Sequence, residues 1–408
     1  MAGTSLPQSK KRVGATGRSE YIHDIDKIAA IPECQRAKLK EVARKYAFRA
    51  NDYYLNLIDW NDPADPIRQI IIPREEELHD WGKLDASNER GVTVTRGVQH
   101  KYPHTVLLLC TEMCGAHCRY CFRKRLFMGG NRETANNVAE GPAYVAANPG
   151  VTNVLLSGGD PLLLSTRRLA ELLGALRNIA HVKIIRIGSK MPAFNPWRLL
   201  DDPDLQNVLR RYSTPRKRIY LMTHFDHPRE LTGAAIDCVD CAIRSGVICV
   251  NQCPLVKGVN DNADVLATLF RELSFIGCPP YYVFQGRPAA GNEPYKVPIV
   301  RGWEIVRQAM RQGSGLACRA RFVMSHETGK LEILSVDDDH MYLRYHRAKD
   351  PAMRGRFMIY KRDDEACWLD ELELVDSRSA LEFAPSSLDH PDRLQAADDL
   401  ADTGVLDN

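Results

Sequence analysis

Three cysteines, Cys114, Cys118 and Cys121, are separated by three and by two residues in the run TEMCGAHCRYCFRKR, directly behind the apolar stretch Val106 to Cys110. A strand ending in such a loop offers three thiolates to one metal centre, and soft thiolates suit iron–sulfur clusters and zinc. Zinc ribbons bring a fourth ligand from a second CxxC or a His pair. The next CxxC, Cys238 to Cys241, comes more than a hundred residues later in a stretch that reads as helix, with no turn-forming Gly or Pro inside it. A cube of four irons held by three cysteines leaves one iron without a protein ligand, free to bind a reactant.

Other residues able to do chemistry follow apolar runs. Ser157-Gly158-Gly159-Asp160-Pro161 comes after Asn153 to Leu156, and its glycines let backbone approach a ligand closely. Thr223-His224-Phe225 and Asn251-Gln252 end two further runs. Arg119, Arg123, Lys124 and Arg125 form a basic run beside the cysteines, a pattern that most often marks a solvated face.

CxxxCxxC with Tyr120 just before the third Cys resembles the signature of the radical S-adenosylmethionine enzymes. In that family the open iron chelates the amino and carboxylate groups of the cofactor, and an electron from the cluster splits the sulfonium to give a 5′-deoxyadenosyl radical. The upstream stretch NDYYLNLIDWNDPADPIRQ, with RIGSKMP (186–192) and VKGVND (256–261), resembles the lysine 2,3-aminomutase branch of these enzymes. That resemblance implies a [4Fe–4S] cluster on Cys114, Cys118 and Cys121, and S-adenosyl-L-methionine held by Gly158, Gly159, Asp160, His224, Asn251 and Gln252. It also implies pyridoxal 5′-phosphate on Lys330 in SHETGK, with Lys296 as the poorer substitute. Lys101 and Tyr102 stand where the family has an Arg and a Tyr against that cofactor, and Thr105 stands where it has a second Arg. Arg123, two residues after the third Cys, matches the family's clamp for the substrate α-carboxylate.

The activity implied is an amino-acid 2,3-aminomutase, an isomerase that moves the α-amino group to the β-carbon. Lysine-specific members carry a carboxylate where this chain has Arg287, and a second one near the position of Ser325. A cation there makes Arg287 a substrate-binding candidate for an acidic or neutral polar side chain, glutamate first. The implied partners are a small-molecule amino acid, a flavodoxin or ferredoxin as electron donor, and further copies of the chain in a homo-oligomer. Two other classes stay open: a radical enzyme of the same fold that acts on a protein lysine or without pyridoxal phosphate, and a non-catalytic iron–sulfur or zinc protein.

The elements that must position these residues alternate. Strands are expected at Val106 to Cys110, Asn153 to Leu156, Val182 to Ile187, Ile219 to Met222, Val247 to Asn251 and Tyr281 to Phe284, with helical stretches between them. One such helix should start at Ser165 and bury Leu169, Leu172, Leu173 and Leu176, spaced i, i+3, i+4 and i+7. Six parallel strands joined by right-handed crossovers make an α/β fold, a partial (β/α)6 radical-SAM barrel, whose site lies at the C-terminal ends of the strands. The expected organisation is a disordered tail (1–20), an N-terminal mainly helical segment (21–100) with a helix from Pro32 to Tyr54, the barrel (101–330), a small β-rich extension (331–379) and an acidic tail (380–408). In the extension a hairpin should turn at Asp337 to Asp339, followed by a strand near Arg356 to Lys361.

Composition bounds the rest. Apolar residues make up 44% and charged residues 26% of 408, and no apolar run approaches the ~20 residues needed to span a bilayer. A net charge of +3 gives no reason to expect nucleic acid, and neither a membrane nor a signal peptide is indicated, so the expected location is cytoplasmic. Twelve cysteines without a secretory signal read as thiols rather than a disulfide framework.

Overall fold

The computed structural model describes residues 19–135 and 139–378. The expected N-terminal tail lies outside these but for its last two residues, and the expected acidic tail lies outside them altogether.

Among the described residues thirteen strands form one sheet whose spatial order is the order of the chain. A hairpin, β1 (Thr93–Thr95) and β2 (Val98–Tyr102), leads antiparallel into β3 (Thr105–Thr111). Six more strands continue it in parallel: β4 (Asn153–Gly158), β5 (Ile184–Ser189), β6 (Ile219–Thr223), β7 (Ile248–Pro254), β8 (Pro280–Phe284) and β9 (Arg321–His326). Then β10 (Gly329–Val336), β11 (His340–Ala348), β12 (Phe357–Lys361) and β13 (Leu374–Arg378) run antiparallel. The six expected strands are all present, and β9 is a seventh. Its alternation in RFVMSH is real, but it lies so close before Lys330 that it reads as loop. The segment around Lys330 is in fact a tight hairpin, with His326 opposite Gly329 and Lys330 the second residue of β10.

Strand alternation sorts side chains between two surroundings. On β4 and β5, Val154, Leu156, Ile185 and Ile187 face the outer apolar core under the helices, while Leu155, Ser157, Arg186 and Gly188 line the interior. The helices close that outer core. One is α2 (Thr166–Arg177), where the Ser165 hydroxyl accepts from Arg168 N at 3.3 Å and Leu169, Leu172, Leu173 and Leu176 are buried, as the spacing requires. Cys238 and Cys241 lie on α4 (Gly233–Arg244) in the same core, so they pack as small apolar groups and are not partners of the cysteine motif. (Between them, α3 is Pro203–Tyr212.)

Residues 19–92 form a cap. The expected helix ends early: α1 spans Glu33–Lys45, and Ala50–Asn51 then pairs as a short strand with Tyr21–Ile22. The second apolar cluster joins Ile25, Phe48, Tyr54, Ile67 and Ile70 of the cap to Ala116, Tyr120, Phe194, Val256 and Tyr295 on the loops that follow the parallel strands. The cap therefore sits over the C-terminal mouth of the barrel, held there by burial of its apolar face.

Candidate active site

Under the cap lies a cavity of about 360 Å3. Cys114, Cys118 and Cys121 line it together with Gly158, Gly159, Asp160, His224, Gln252, Lys101, Tyr102, Arg123, Arg287 and Lys330. Lys296 is on its wall as well. The cysteines, Gly158 to Asp160, His224, Gln252 and Arg287 come from the C-terminal ends of parallel strands or the loops after them, as the barrel geometry requires, whereas Lys101, Tyr102 and Lys330 come from the flanking antiparallel strands.

The cysteine loop is held from every side. Its backbone is hydrogen-bonded to the cap by His117 N to Arg49 O at 2.9 Å and Arg119 N to Ile70 O at 2.8 Å. The buried Asn51 amide donates to Gly115 O and Phe194 O, and Asn292 donates to Tyr120 O. The basic run beside the loop is not a solvated face: Arg119, Arg123, Lys124 and Arg125 are all buried. Arg119 makes a two-pronged pair with Glu77 of the cap, 2.7 Å at the shortest. Below the loop, Lys190 Nζ lies 2.5 Å from Asp226 and 2.7 Å from Glu230, and Tyr120 and His224 also bond to Asp226. Burial favours the neutral amine, but the two carboxylates more than reverse this and keep Lys190 a cation. Burial pushes all three motif thiols up, so iron would have to displace the protons. Among the described residues no three His, Cys, Asp or Glu side chains converge on a single-ion site.

Gly158 and Gly159 line the cavity and also admit the protein's own backbone. Gly158 has φ +114°, and a Cβ there would stand 2.3 Å from Thr111 O; one on Gly159 would stand 2.2 Å from Met113 O. The backbone that comes so close is the protein's own cysteine loop, with Gly159 N donating to Thr111 O and Asp160 N to Met113 O. The Asp160 carboxylate is likewise engaged, accepting from Leu162 N, Ser189 Oγ, Lys190 N and Met191 N. Burial raises it to about 6 against those four donors. Asn251 does not line the cavity: its side chain accepts from Thr223 Oγ1 and Phe225 N and donates to Phe225 O, tying the ends of β6 and β7.

Arg123 does not present a free fork. Its Nε and Nη2 edge is filled by Glu89 at 2.7 Å, and Nη1 donates to Ser157 Oγ at 2.8 Å. Glu89 also accepts from Arg125. Burial alone would raise Glu89, but Arg123 and Arg125 hold it well below the usual carboxylate range. Arg287 is the guanidinium left open: it stacks on Phe122 at 3.6 Å, its Nη1 is buried without a hydrogen-bond partner, and burial draws it down to about 10. Glu293 instead pairs with His79 and Lys296.

Lys330 lies over the rings of Tyr282 and Phe284, 4.3 and 4.7 Å from their centres. Burial first, and then the neighbouring Arg186, Arg347, Arg287 and Lys101, hold its amine well below the ordinary lysine range. Sequence reasoning missed Arg186, Arg347 and Glu89. Only Arg186 left a signal, as the polar inward position in the alternation of IIRIGS; Glu89 and Arg347 arrive from the cap and from β11, far away in the chain.

A family model described as the radical SAM superfamily matches residues 108–269. A protein of Aquifex aeolicus (strain VF5), provisionally named L-lysine 2,3-aminomutase, is 53% identical over 358 residues, covering 87% of this chain and 96% of the relative. The chain belongs to the lysine 2,3-aminomutase family of radical S-adenosylmethionine enzymes. L-lysine 2,3-aminomutase of Fusobacterium nucleatum is 36% identical to this family member over 74% of its length and 70% of the relative's. Glutamate 2,3-aminomutase of Clostridioides difficile is 30% identical over 76% and 74% of the two chains. Membership of the radical family implies a [4Fe–4S] cluster and S-adenosylmethionine, and the three thiols opening on one cavity fit that demand. No helix among the described residues is long and apolar enough to cross a membrane.

Proposed function

We propose that this family member is a pyridoxal phosphate-dependent amino-acid 2,3-aminomutase acting on an amino acid with an acidic or neutral polar side chain, glutamate first. The observation that carries the pyridoxal reading is Lys330, a primary amine in one cavity with the three thiols, whose charged form is disfavoured by burial and by the basic groups around it. A neutral amine is the nucleophile that an aldehyde requires. Bound there, pyridoxal phosphate would supply the π-system across which nitrogen migrates, and the cluster with S-adenosylmethionine would supply the hydrogen-abstracting radical. The chain's part is to hold, orient and exclude water. Cys114, Cys118 and Cys121 would hold the cluster, the Gly158–Gly159 wall with His224 and Gln252 would border S-adenosylmethionine, and the cap would keep solvent out.

Two groups would recognise the substrate. Arg123, already fixed by Glu89, would offer Nη1 to the α-carboxylate in place of Ser157. Arg287, with Nη1 unpartnered, would take the distal group. Eight Lys and Arg line the cavity against two carboxylates, Glu89 and Asp160, and both of these are already engaged. A second ammonium about 4 Å from Arg287 at an effective dielectric near 20 would be repelled by roughly 4 kcal/mol, close to three powers of ten in binding. The relatives named for lysine favour L-lysine as the second reading.

Anaerobic protein with pyridoxal phosphate, S-adenosylmethionine and a low-potential reductant should convert L-glutamate to its β-isomer far faster than L-lysine. Borohydride should trap the pyridoxal on Lys330. Efficient turnover of L-lysine that survives Arg287→Ala would overturn the substrate assignment, and a borohydride adduct on Lys296 would overturn that of the lysine. Arg287→Asp should shift preference toward lysine.

A further inference from the structure

Four basic side chains meet in one corner of the cavity: Lys101 on β2, Arg186 on β5, Lys330 on β10 and Arg347 on β11. Among the described residues none of the four has a carboxylate within ion-pair distance, although most other buried cations of this chain are paired. The groups that do anchor them are neutral. Lys101 Nζ donates to His326 O, Arg186 Nε to Asn153 Oδ1 at 2.9 Å, and Arg347 Nη2 to Thr105 Oγ1 at 2.8 Å. The Arg347 guanidinium lies on the ring of Tyr102, 4.1 Å from its centre. Like charges gathered this way without a counterion are costly unless an anion binds among them.

We propose that Lys101, Arg186 and Arg347 form the seat for the phosphate of pyridoxal phosphate, and that Arg347, reaching in from the C-terminal extension, supplies at Thr105 the guanidinium fork that this stretch of the chain itself lacks. The inference rests on the reading of Lys330 as the pyridoxal lysine. It assigns the extension a function: β11 runs beside β10, with Lys330 opposite Arg347 in the register, so the strand that carries the amine and the strand that carries the fork are hydrogen-bonded neighbours. The spacing between the Lys330 amine and the Arg347 fork is then set by a β-ladder and not by a loop. A planar fork meets phosphate oxygens in pairs, which a lysine does not.

The test uses the full chain, purified without cofactor, and titrates it with pyridoxal phosphate and with unphosphorylated pyridoxal, reading the absorbance of the lysine adduct and its peptide position after borohydride. Wild type should prefer the phosphorylated form, and inorganic phosphate should compete with it but not with pyridoxal. Arg347→Ala should lose about ten- to a hundredfold in affinity for pyridoxal phosphate while binding pyridoxal as before. Thr105→Arg introduced into Arg347→Ala should restore much of the loss. An adduct on Lys330 whose phosphate preference is unchanged in both Arg347→Ala and Arg186→Gln would overturn the seat and leave the lysine assignment standing. No adduct with either aldehyde in wild type would overturn the lysine assignment itself. Unchanged pyridoxal binding separates lost recognition from misfolding; if Arg347→Ala does not fold, Arg347→Lys, which keeps the charge and loses the fork, carries the same comparison.

Discussion

At the scale of single residues, the three motif cysteines are interchangeable in consequence. Each is half-buried on the wall of the same cavity, and replacing any one by Ala would leave two irons without protein ligands. Each variant should purify with little iron and release no 5′-deoxyadenosine from S-adenosylmethionine under reduction, measured by iron assay and chromatography; one that keeps both would remove the assignment. Lys101 gives a different signature. Burial and the nearby Arg287 draw it down to about 7, so at pH 8 most of it is neutral. A phosphate dianion beside it stabilises the cation and raises that value, so binding pyridoxal phosphate at pH 8 should take up a proton that binding to Lys101→Arg, charged throughout, does not. Calorimetry in buffers of different ionisation enthalpy reads the difference, expected to approach one proton. That the cysteines, His224, Gln252, Lys330 and Arg287 share one cavity was legible, because each follows or begins a strand in the sequence. Gly158 and Gly159 line the cavity too, but that they must also admit the backbone of the cysteine loop is not written in the sequence, which does not show which chain a glycine faces. The engagement of Arg123 by Glu89 joins residues thirty-four apart through the fold alone.

Among elements, the cap and the cysteine loop behave as one piece. Arg119 and Glu77 are both nearly inaccessible, and the carboxylate also accepts from Tyr295 and from Arg74 N. Glu77→Ala would strand a buried guanidinium, and about 3–5 kcal/mol of stability should be lost, read from denaturant unfolding of the anaerobic protein. Replacing both, Glu77→Met with Arg119→Met, should cost much less than the single change, because no charge is then left unpaired. The helical spacing after Ser165 and the six parallel runs could be read ahead of the structure because burial on one face leaves a period in the sequence. The early end of α1 at Lys45 could not, for Tyr46 to Asn51 owes its extended course to pairing with Tyr21–Ile22 and to contacts with the loop of the barrel. β9 was hidden for a related reason: a short strand before a two-residue turn looks like the turn until its partner β8 is known.

For the whole molecule, the three thiols and the Lys330 amine reach one cavity from different elements. The thiols come from the loop after β3, and the amine comes from β10. Lys330→Ala should therefore keep its iron and its affinity for S-adenosylmethionine, and under reduction should still form some 5′-deoxyadenosine, while losing the amino shift entirely. A variant that lost the cluster as well would show that the thiols and the amine are not independent.

Because spatial order in the sheet repeats the order of the chain, the molecule is also written in the order in which a ribosome releases it. Each strand of the sheet finds its neighbour already made, and no late strand has to insert between two earlier ones. The cap and the cysteine loop emerge first, and Lys330 and Arg347 emerge near the end. A growing chain thus exposes its three motif thiols and the cap that covers them before the strands that carry Lys330 and Arg347 have been made.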